Sequence, residues 1–288
     1  MFPAGGNCDM HNGFAEKINE YGLFLSNEER CIATIEKYLH DLREFSQWLG
    51  ENALTKDRVA EWKTVLSEKG YSPGSVNGKL SAVNGFLKFF GREDCRVRLL
   101  RIQRRLFRDP SRELTQEEYQ RLVSSAYDEG KIRLALLMET ICCIGLRVSE
   151  VKYITVEAAR RGRTDIMLKG KVRTILFTQK LCKKLIKYAK KEKIQSGSLF
   201  LTRFGKPLGR IQIWSEMKAL CNRAGISPTK VFPHNLRHLF ARTFYRACRD
   251  IVRLADVLGH SSIETTRIYL IGTGEEHIKQ MERLCLIR

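Results

Sequence analysis

Tyr269 is preceded along the chain by two arginines and two histidines that suit an attack on a phosphate group. Arg147 lies in Gly-Leu-Arg-Val-Ser-Glu, whereas His234 and Arg237 lie in His-Asn-Leu-Arg-His. His260, in Leu-Gly-His, precedes Tyr269 by nine residues. A phenol has a pKa of about 10, so it needs a nearby base and a positive field to become a nucleophile at neutral pH. The order and spacing of these residues predict a tyrosine that attacks phosphorus.

Each residue type has a part in such a reaction. A phosphodiester gains negative charge on its non-bridging oxygens as a nucleophile adds, and the planar guanidinium forks of Arg147 and Arg237 match those oxygens. His234 and His260 could supply the base and part of the positive field. The departing sugar oxygen needs a proton, and a lysine near arginines can donate one because their charge lowers its pKa. Lys169 is the candidate for this general acid.

Taken alone, each residue has a commoner structural explanation. Arg147 and Glu150, three residues apart, are typical of an ion pair along one helix face. Lys169 in a turn would keep the surface soluble, and His260 after a glycine is typical of a helix end. A single tyrosine such as Tyr269 more often packs at the rim of a core. Because all these explanations would have to hold together in this order, we interpret the residues as one site.

The composition points to a negatively charged partner. Lysine and arginine total 51 residues against 32 aspartates and glutamates, which gives the chain a net charge of +19. Its 288 residues suffice for two ordinary domains, and 43% of them are hydrophobic. A folded protein this basic is expected to bind a polyanion, most simply nucleic acid, although a basic protein without a particular partner is the alternative.

The sequence indicates neither a metal site nor a membrane segment. Its nine cysteines form no C-x-x-C pair, and such free cysteines fit a reducing cytoplasm. The N-terminus lacks the basic and apolar regions of a signal peptide, and the longest apolar stretch, 134–146, is too short to span a bilayer. We therefore expect a cytoplasmic protein, associated with the nucleoid if its partner is DNA.

Residues 1–95 are predicted to form a small helical domain. Apolar residues recur at three and four positions, and the pattern predicts helices over 14–24, 29–50, 55–69 and 73–91. A basic segment, 96–112, follows. It contains the arginines that we predict to contact a phosphate backbone: Arg96, Arg98, Arg101, Arg104, Arg105 and Arg108. The alternative is an ordinary solvated charged face.

Residues 113–288 are predicted to form a second, mixed domain. It begins with a capping box from Thr115 to Glu118. One β-hairpin is expected over 163–178, with lysine at its tip. Helical patterns fill the rest of the domain, at 211–224, 234–248 and 250–258. A short amphipathic helix is expected in the tail after Tyr269.

These motifs resemble the signature boxes of the tyrosine recombinases, the phage integrase and Xer family. The resemblance covers nearly the whole chain: residues 12–91 are similar to the helical core-binding domain, and 113–288 to the catalytic domain. It implies a mainly α fold, with a SAM-like N-terminal domain and an α+β catalytic domain containing a small hairpin. It also implies a homotetramer that acts on double-stranded DNA at an inverted-repeat site, with neither ATP nor a metal.

The resemblance also implies a role for each residue. Tyr269 would attack the scissile phosphate to form a 3'-phosphotyrosyl link and free a 5'-hydroxyl. The arginines at positions 147 and 237 would hold the phosphate, and Lys169 would protonate the leaving oxygen. His234 would exchange the tyrosine proton, and His260 would bond a non-bridging oxygen. Glu150 would orient the first arginine from behind.

The chain departs from the family pattern at the hairpin tip. The tip, Lys-Gly-Lys-Val-Arg, is shorter than the family's glycine-rich box, so Lys171 could be the acid instead of Lys169. The expected product is a site-specific recombinase that performs integration, excision, inversion or resolution. The rivals are a type IB topoisomerase, which relaxes supercoils without exchanging partners, and a DNA-binding regulator that does not cut.

Overall fold

A computed structural model of the chain describes residues 9–102, 109–168, 171–270, 278 and 281–284. The chain divides into two compact units, Met1–Arg104 and Arg105–Arg288. Each unit has its own hydrophobic core. The described helices include none that is both long and apolar enough to cross a membrane.

The described residues of the first unit form four α-helices, as the apolar periodicity predicts. They are α1 (Asp9–Asn27), α2 (Ile32–Leu49), α3 (Lys56–Glu68) and α4 (Pro73–Phe89). Side-chain caps mark two of the starts: the Thr55 hydroxyl accepts from the Arg58 amide before α3, and the Ser72 hydroxyl accepts from the Ser75 amide before α4. α1 is longer than the sequence indicates.

The described part of the second unit is mainly helical and includes a two-stranded sheet. Its elements are α5 (Gln116–Asp128), α6 (Ile132–Ile144), α7 (Val156–Arg161), β1 (Arg163–Leu168), β2 (Lys171–Leu176), α8 (Gln179–Lys191), α9 (Arg210–Lys218), α10 (Cys221–Ala224), α11 (Pro233–Cys248), α12 (Ile251–Leu258) and α13 (Ile263–Arg267). The expected capping box is present, because Thr115 and Glu118 exchange hydrogen bonds with each other's backbone amides. β1 and β2 pair antiparallel, with Leu168 opposite Lys171.

Local details of the second unit differ from the sequence-based expectations in three places. The single helix expected over 211–224 is two helices, α9 and α10, with a break at Ala219 and Leu220. Arg147 opens a 3₁₀ helix, Val148–Tyr153, rather than an α-helix. α7 was not predicted, because six residues are too few for a clear apolar period.

Gly145 provides the tight junction from which the site is built. It ends α6 in the left-handed conformation, with a φ of 61°. A Cβ atom at this position would lie 2.4 Å from Cδ1 of Phe240 on α11. Only glycine therefore meets both the backbone conformation and the close approach of α11. The turn carries the chain from α6 to Arg147 directly beside that helix.

Candidate active site

Five of the side chains predicted to act on a phosphate lie together in the second unit. Arg147 follows α6, and His234 and Arg237 lie on α11. His260 follows α12, and Tyr269 follows α13. The ring centroid of Tyr269 lies 5.7 Å from that of His260 and 6.0 Å from that of His234. Tyr269 is only 6% exposed, and the arginines and histidines around it belong to the same chain.

Arg237 is the buried centre of the group, at 1% exposure. Its guanidinium donates to the carbonyl oxygens of Gly145 and Leu258, the residues that end α6 and α12. Burial first, and then the charge of nearby Arg147, lower the pKa of Arg237 to about 10, although the Tyr269 side chain acts in the opposite direction. Arg237 therefore stays charged at neutral pH while fixing the ends of two helices.

His260 is held as the neutral imidazole by its two partners. Its Nε2 lies 2.9 Å from Nη2 of Arg237, and its Nδ1 lies 2.9 Å from the Thr266 hydroxyl. A guanidinium can only donate, so Nε2 accepts and Nδ1 carries the proton that it donates to Thr266. Burial, followed by the charges of Arg237 and Arg147, lowers the pKa of His260 to about 4. The positive field at Tyr269 consequently comes from the arginines and not from His260.

Arg147 is anchored from behind by Glu150, which is fully buried. Arg147 Nη1 and its backbone amide each donate to Glu150 at 2.9 Å, and Nη2 donates to the carbonyl of Gly259 at 3.2 Å. The Arg147 side chain is still 34% exposed. One face of the guanidinium is thus fixed, and the remainder is open to an anion. This is the arrangement expected of a carboxylate that orients an arginine.

Arg173 also binds Glu150, and sequence reasoning missed it. Its Nη1 donates to Glu150 at 2.6 Å, and its Nη2 donates to the carbonyl of Val257 at 2.9 Å. A Cβ at Gly259 would lie 2.3 Å from Cδ of Arg173, so glycine is required there too. Burial would raise the pKa of the Glu150 carboxyl, but Arg173 and Arg147 outweigh it and hold that pKa below its ordinary value. The hairpin is thereby tied to the site.

His238 is the second residue that sequence reasoning missed. Its ring centroid lies 4.4 Å from that of Tyr269 and 4.6 Å from that of His234, in both cases edge to face. Burial, followed by His234 and Arg237, lowers the pKa of His238 to about 4. Burial and Arg237 also lower the pKa of His234. Both imidazoles are therefore neutral at pH 7, and a neutral His234 can accept a proton. The i, i+4 spacing of the two histidines was the available signal.

The other predicted residues divide between described and undescribed positions. Lys169 lies outside the described residues. Lys171 begins β2, two residues before Arg173. Of the predicted DNA-contacting arginines, Arg96, Arg98 and Arg101 are exposed in the first unit, and those at positions 104, 105 and 108 lie outside the described residues. The described part of the chain contains no group of three or more histidine, cysteine, aspartate or glutamate side chains arranged to hold a metal.

Glu150→Gln is expected to destabilise the second unit and slow its chemistry. The amide would direct an N–H group at donors that now meet a carboxylate, and breaking a buried ion pair costs about 3–5 kcal/mol. Because the folded pKa of Glu150 lies below its unfolded value, its contribution is complete above the ordinary carboxyl range and is lost as the pH falls through the folded pKa. Urea unfolding should therefore show a large difference from the unsubstituted protein at pH 7 and a smaller one at pH 4.

The control for this prediction is the exposed Glu192, at the end of α8. Glu192→Gln should change the free energy of unfolding by less than about 0.5 kcal/mol at either pH. A Glu150→Gln protein as stable at pH 7 as this control would contradict the prediction.

Comparison with known proteins identifies relatives of both units. Residues 112–273 match the phage integrase family, and residues 18–94 match the phage integrase N-terminal SAM-like domain. The chain is 29% identical over 282 residues to the tyrosine recombinase XerA of Pyrococcus furiosus, with 95% of each chain covered.

Two solved structures share the fold. The integrase of transposon Tn1549, in complex with transposon right end DNA, gives a TM-score of 0.72 at 18% identity, covering 94% of this chain and 99% of that one. The site-specific recombinase XerH, in a post-cleavage complex with a palindromic difH substrate, gives a TM-score of 0.69 at 20% identity. The match covers 86% of this chain and 78% of that one.

Proposed function

The chain belongs to the phage integrase family of tyrosine recombinases, and we propose that Tyr269 is the nucleophile with which it cuts and rejoins DNA. It is a site-specific recombinase. The observation that carries the assignment of Tyr269 is the packing of its ring against three histidines beside two arginines, all from one chain. A phenol in this setting has a base and a positive field.

The first step would transfer one phosphodiester bond from DNA to protein. The Tyr269 oxygen bonds to phosphorus, the bond from phosphorus to the 5'-oxygen breaks, and neutral His234 takes the phenolic proton. Arg147 and Arg237 stabilise the charge that develops on the non-bridging oxygens. With its proton on Nδ1, His260 cannot donate from Nε2 to a non-bridging oxygen. That role would require the other tautomer, in which Nε2 carries the proton and Nδ1 accepts from the Thr266 hydroxyl.

The leaving 5'-oxygen needs a proton, and we assign that step to a lysine of the hairpin tip. Lys169 is the first candidate and Lys171 the second. The anchoring of β2 through Arg173 supports either of them, because it holds the hairpin next to Glu150 and Val257. In the reverse step the 5'-hydroxyl of another strand attacks phosphorus and gives its proton to the lysine. The bond from phosphorus to the Tyr269 oxygen breaks, and His234 returns a proton to that oxygen. The bond energy stays in the covalent link, so the scheme needs no ATP.

The number of protomers in the proposed assembly follows from strand exchange between two duplexes. Four strands are cut, and each cut uses one Tyr269, so four protomers are required. Two protomers on one site bind symmetrically when the site is an inverted repeat. The palindromic substrate of XerH supports this arrangement. Such an enzyme would work on DNA at the nucleoid.

A plasmid carrying two copies of the recombination site tests the function. Recombinant products with conserved DNA length are expected. Relaxed plasmid without recombinants would indicate a topoisomerase of type IB, and binding without any covalent adduct would indicate a regulator.

Chelation of divalent ions is expected to leave cleavage intact. Because the arginines supply the positive charge, adduct formation on a nicked suicide duplex should proceed at the same rate with EDTA as with magnesium. The adduct is measured on denaturing gels, with DNA binding followed in parallel so that weaker assembly is not mistaken for slower chemistry. Loss of the adduct in EDTA and its return with magnesium would show that a metal takes part.

A further inference from the structure

Two asparagines of α4 hold the backbone of the basic segment that follows it. Asn84 exchanges both possible hydrogen bonds with Val97: its side-chain amide donates to the carbonyl at 2.8 Å, and the Val97 amide donates back at 3.1 Å. Asn77 does the same with Leu100, at 2.9 Å and 2.7 Å. Each side chain thus satisfies the donor and the acceptor of one backbone residue, as a neighbouring strand would.

The spacing of the four residues fits this contact geometrically. Asn77 and Asn84 are two helical turns apart, which at 1.5 Å per residue is about 10.5 Å along α4. Val97 and Leu100 are three residues apart, which is about 9–10 Å of extended chain. The segment therefore runs antiparallel to α4 in a single register. We call the two asparagines with these two backbone residues the asparagine clamp.

The clamp also decides which side chains face outwards. Val97 and Leu100 are partly buried against the core of the first unit. Arg98, Leu99, Arg101 and Ile102 are all exposed. Lys63 adds a third hold, because its ammonium donates to the carbonyl of Arg98 at 3.0 Å.

The exposed arginines are not equivalent. Arg96 forms an ion pair with Glu93 at 3.0 Å. Within the residues that the structure describes, Arg98 and Arg101 have no ion pair. Their guanidiniums are therefore available to an anion, while their backbone is fixed. A free segment would lose backbone entropy when it binds DNA. Here that entropy is lost earlier, when the first unit folds, so binding costs less.

We propose that Asn77 and Asn84 are positioning residues for DNA binding, which preorganise Arg98 and Arg101 to meet the phosphate backbone. This inference rests on the proposed function, because it requires the chain to bind DNA. It differs from a role for the arginines alone, since neither asparagine carries charge. The chemical class of the ligand is a duplex phosphate backbone, and the contact should not depend on base sequence.

The salt dependence of DNA binding distinguishes an effect of backbone ordering from an effect of arginine charge. The logarithm of the DNA association constant falls linearly with the logarithm of salt concentration, with a slope of about −0.9 for each phosphate neutralised. Loosening the clamp leaves the number of phosphate contacts unchanged, so the line should shift down without a change of slope. Removing arginine charge should make the line shallower.

The experiment measures anisotropy of a fluorescent random-sequence duplex over a NaCl series. Asn77→Ala/Asn84→Ala should weaken binding about tenfold at every salt concentration with the wild-type slope. Arg98→Gln/Arg101→Gln should reduce the magnitude of the slope by about 1.8. Asn52→Ala is the matched control, because the Asn52 side chain bonds Leu49 and Arg58 of the same unit, and its line should coincide with the wild type.

Trypsin cleavage after Arg98 and Arg101 checks that the clamp has opened, and it should be faster in the asparagine variant. Circular dichroism checks that the helices persist, and Asn84→Ala alone serves if the double variant does not fold. Binding equal to the wild type in a folded variant with faster cleavage would make the clamp a structural feature only and overturn the inference. A shallower slope in the asparagine variant would also overturn it, because phosphate contacts would have been lost. Failure of the wild-type chain to bind the duplex would instead contradict the proposed function.

Discussion

Tyr269→Phe is expected to abolish the covalent protein–DNA adduct and to leave DNA binding unchanged. The substitution removes one oxygen atom and keeps the aromatic ring that packs against His238 and His260. The buried cluster of Tyr269 with Ala241, Leu254 and Leu258 therefore stays filled. Because no other atom at this position can bond to phosphorus, adduct formation should fall below detection rather than merely slow down.

The measurement uses a duplex nicked near the scissile phosphate, so that the freed fragment diffuses away and traps the intermediate. Denaturing gels should show the adduct with the wild-type protein and not with Tyr269→Phe. Tyr245→Phe is the matched control, because Tyr245 lies on α11 and packs against the same cluster. It should form adduct at close to the wild-type rate. An adduct that persists in Tyr269→Phe and disappears in Tyr245→Phe would show that Tyr245, and not Tyr269, is the nucleophile.

Arg237→Lys is expected to reduce the rate of cleavage by about 10²–10³, although it keeps the positive charge. Removing one preorganised donor that meets developing oxyanion charge costs about this much. A lysine has no planar fork, so it cannot hold the carbonyls of Gly145 and Leu258 while also presenting donors to a phosphate. His260 would in addition lose the donor that fixes its tautomer.

Single-turnover cleavage at saturating protein measures this effect apart from DNA affinity. Arg246→Lys, at an exposed position of α11, is the control and should cleave like the wild type. Thermal unfolding of both variants is needed, because the buried carbonyls left without a donor should lower the stability of Arg237→Lys. Cleavage by a folded Arg237→Lys protein at the rate of the control would remove Arg237 from the phosphate site.

Much of the helical framework could be predicted because its signals are local. The apolar period places α2, and the caps at Thr55, Ser72 and Thr115 mark where α3, α4 and α5 begin. Such signals involve residues within one or two turns of each other, which a sequence displays directly. Where the signal is short the prediction was incomplete, as at α7 and at the break between α9 and α10.

The sequence by itself determined which chemical groups we propose to act on a phosphate, because their types and order already match one reaction. Only the tertiary structure decided how those groups are held. Glu150 binds two arginines, one of them 23 residues away on β2, and His260 owes its tautomer to Arg237 on another helix. The asparagine clamp likewise joins α4 to a segment that forms neither a helix nor a strand. Contacts between distant parts of the chain depend on how helices pack. Such contacts produce no periodic pattern in the sequence, so they could not be predicted from it.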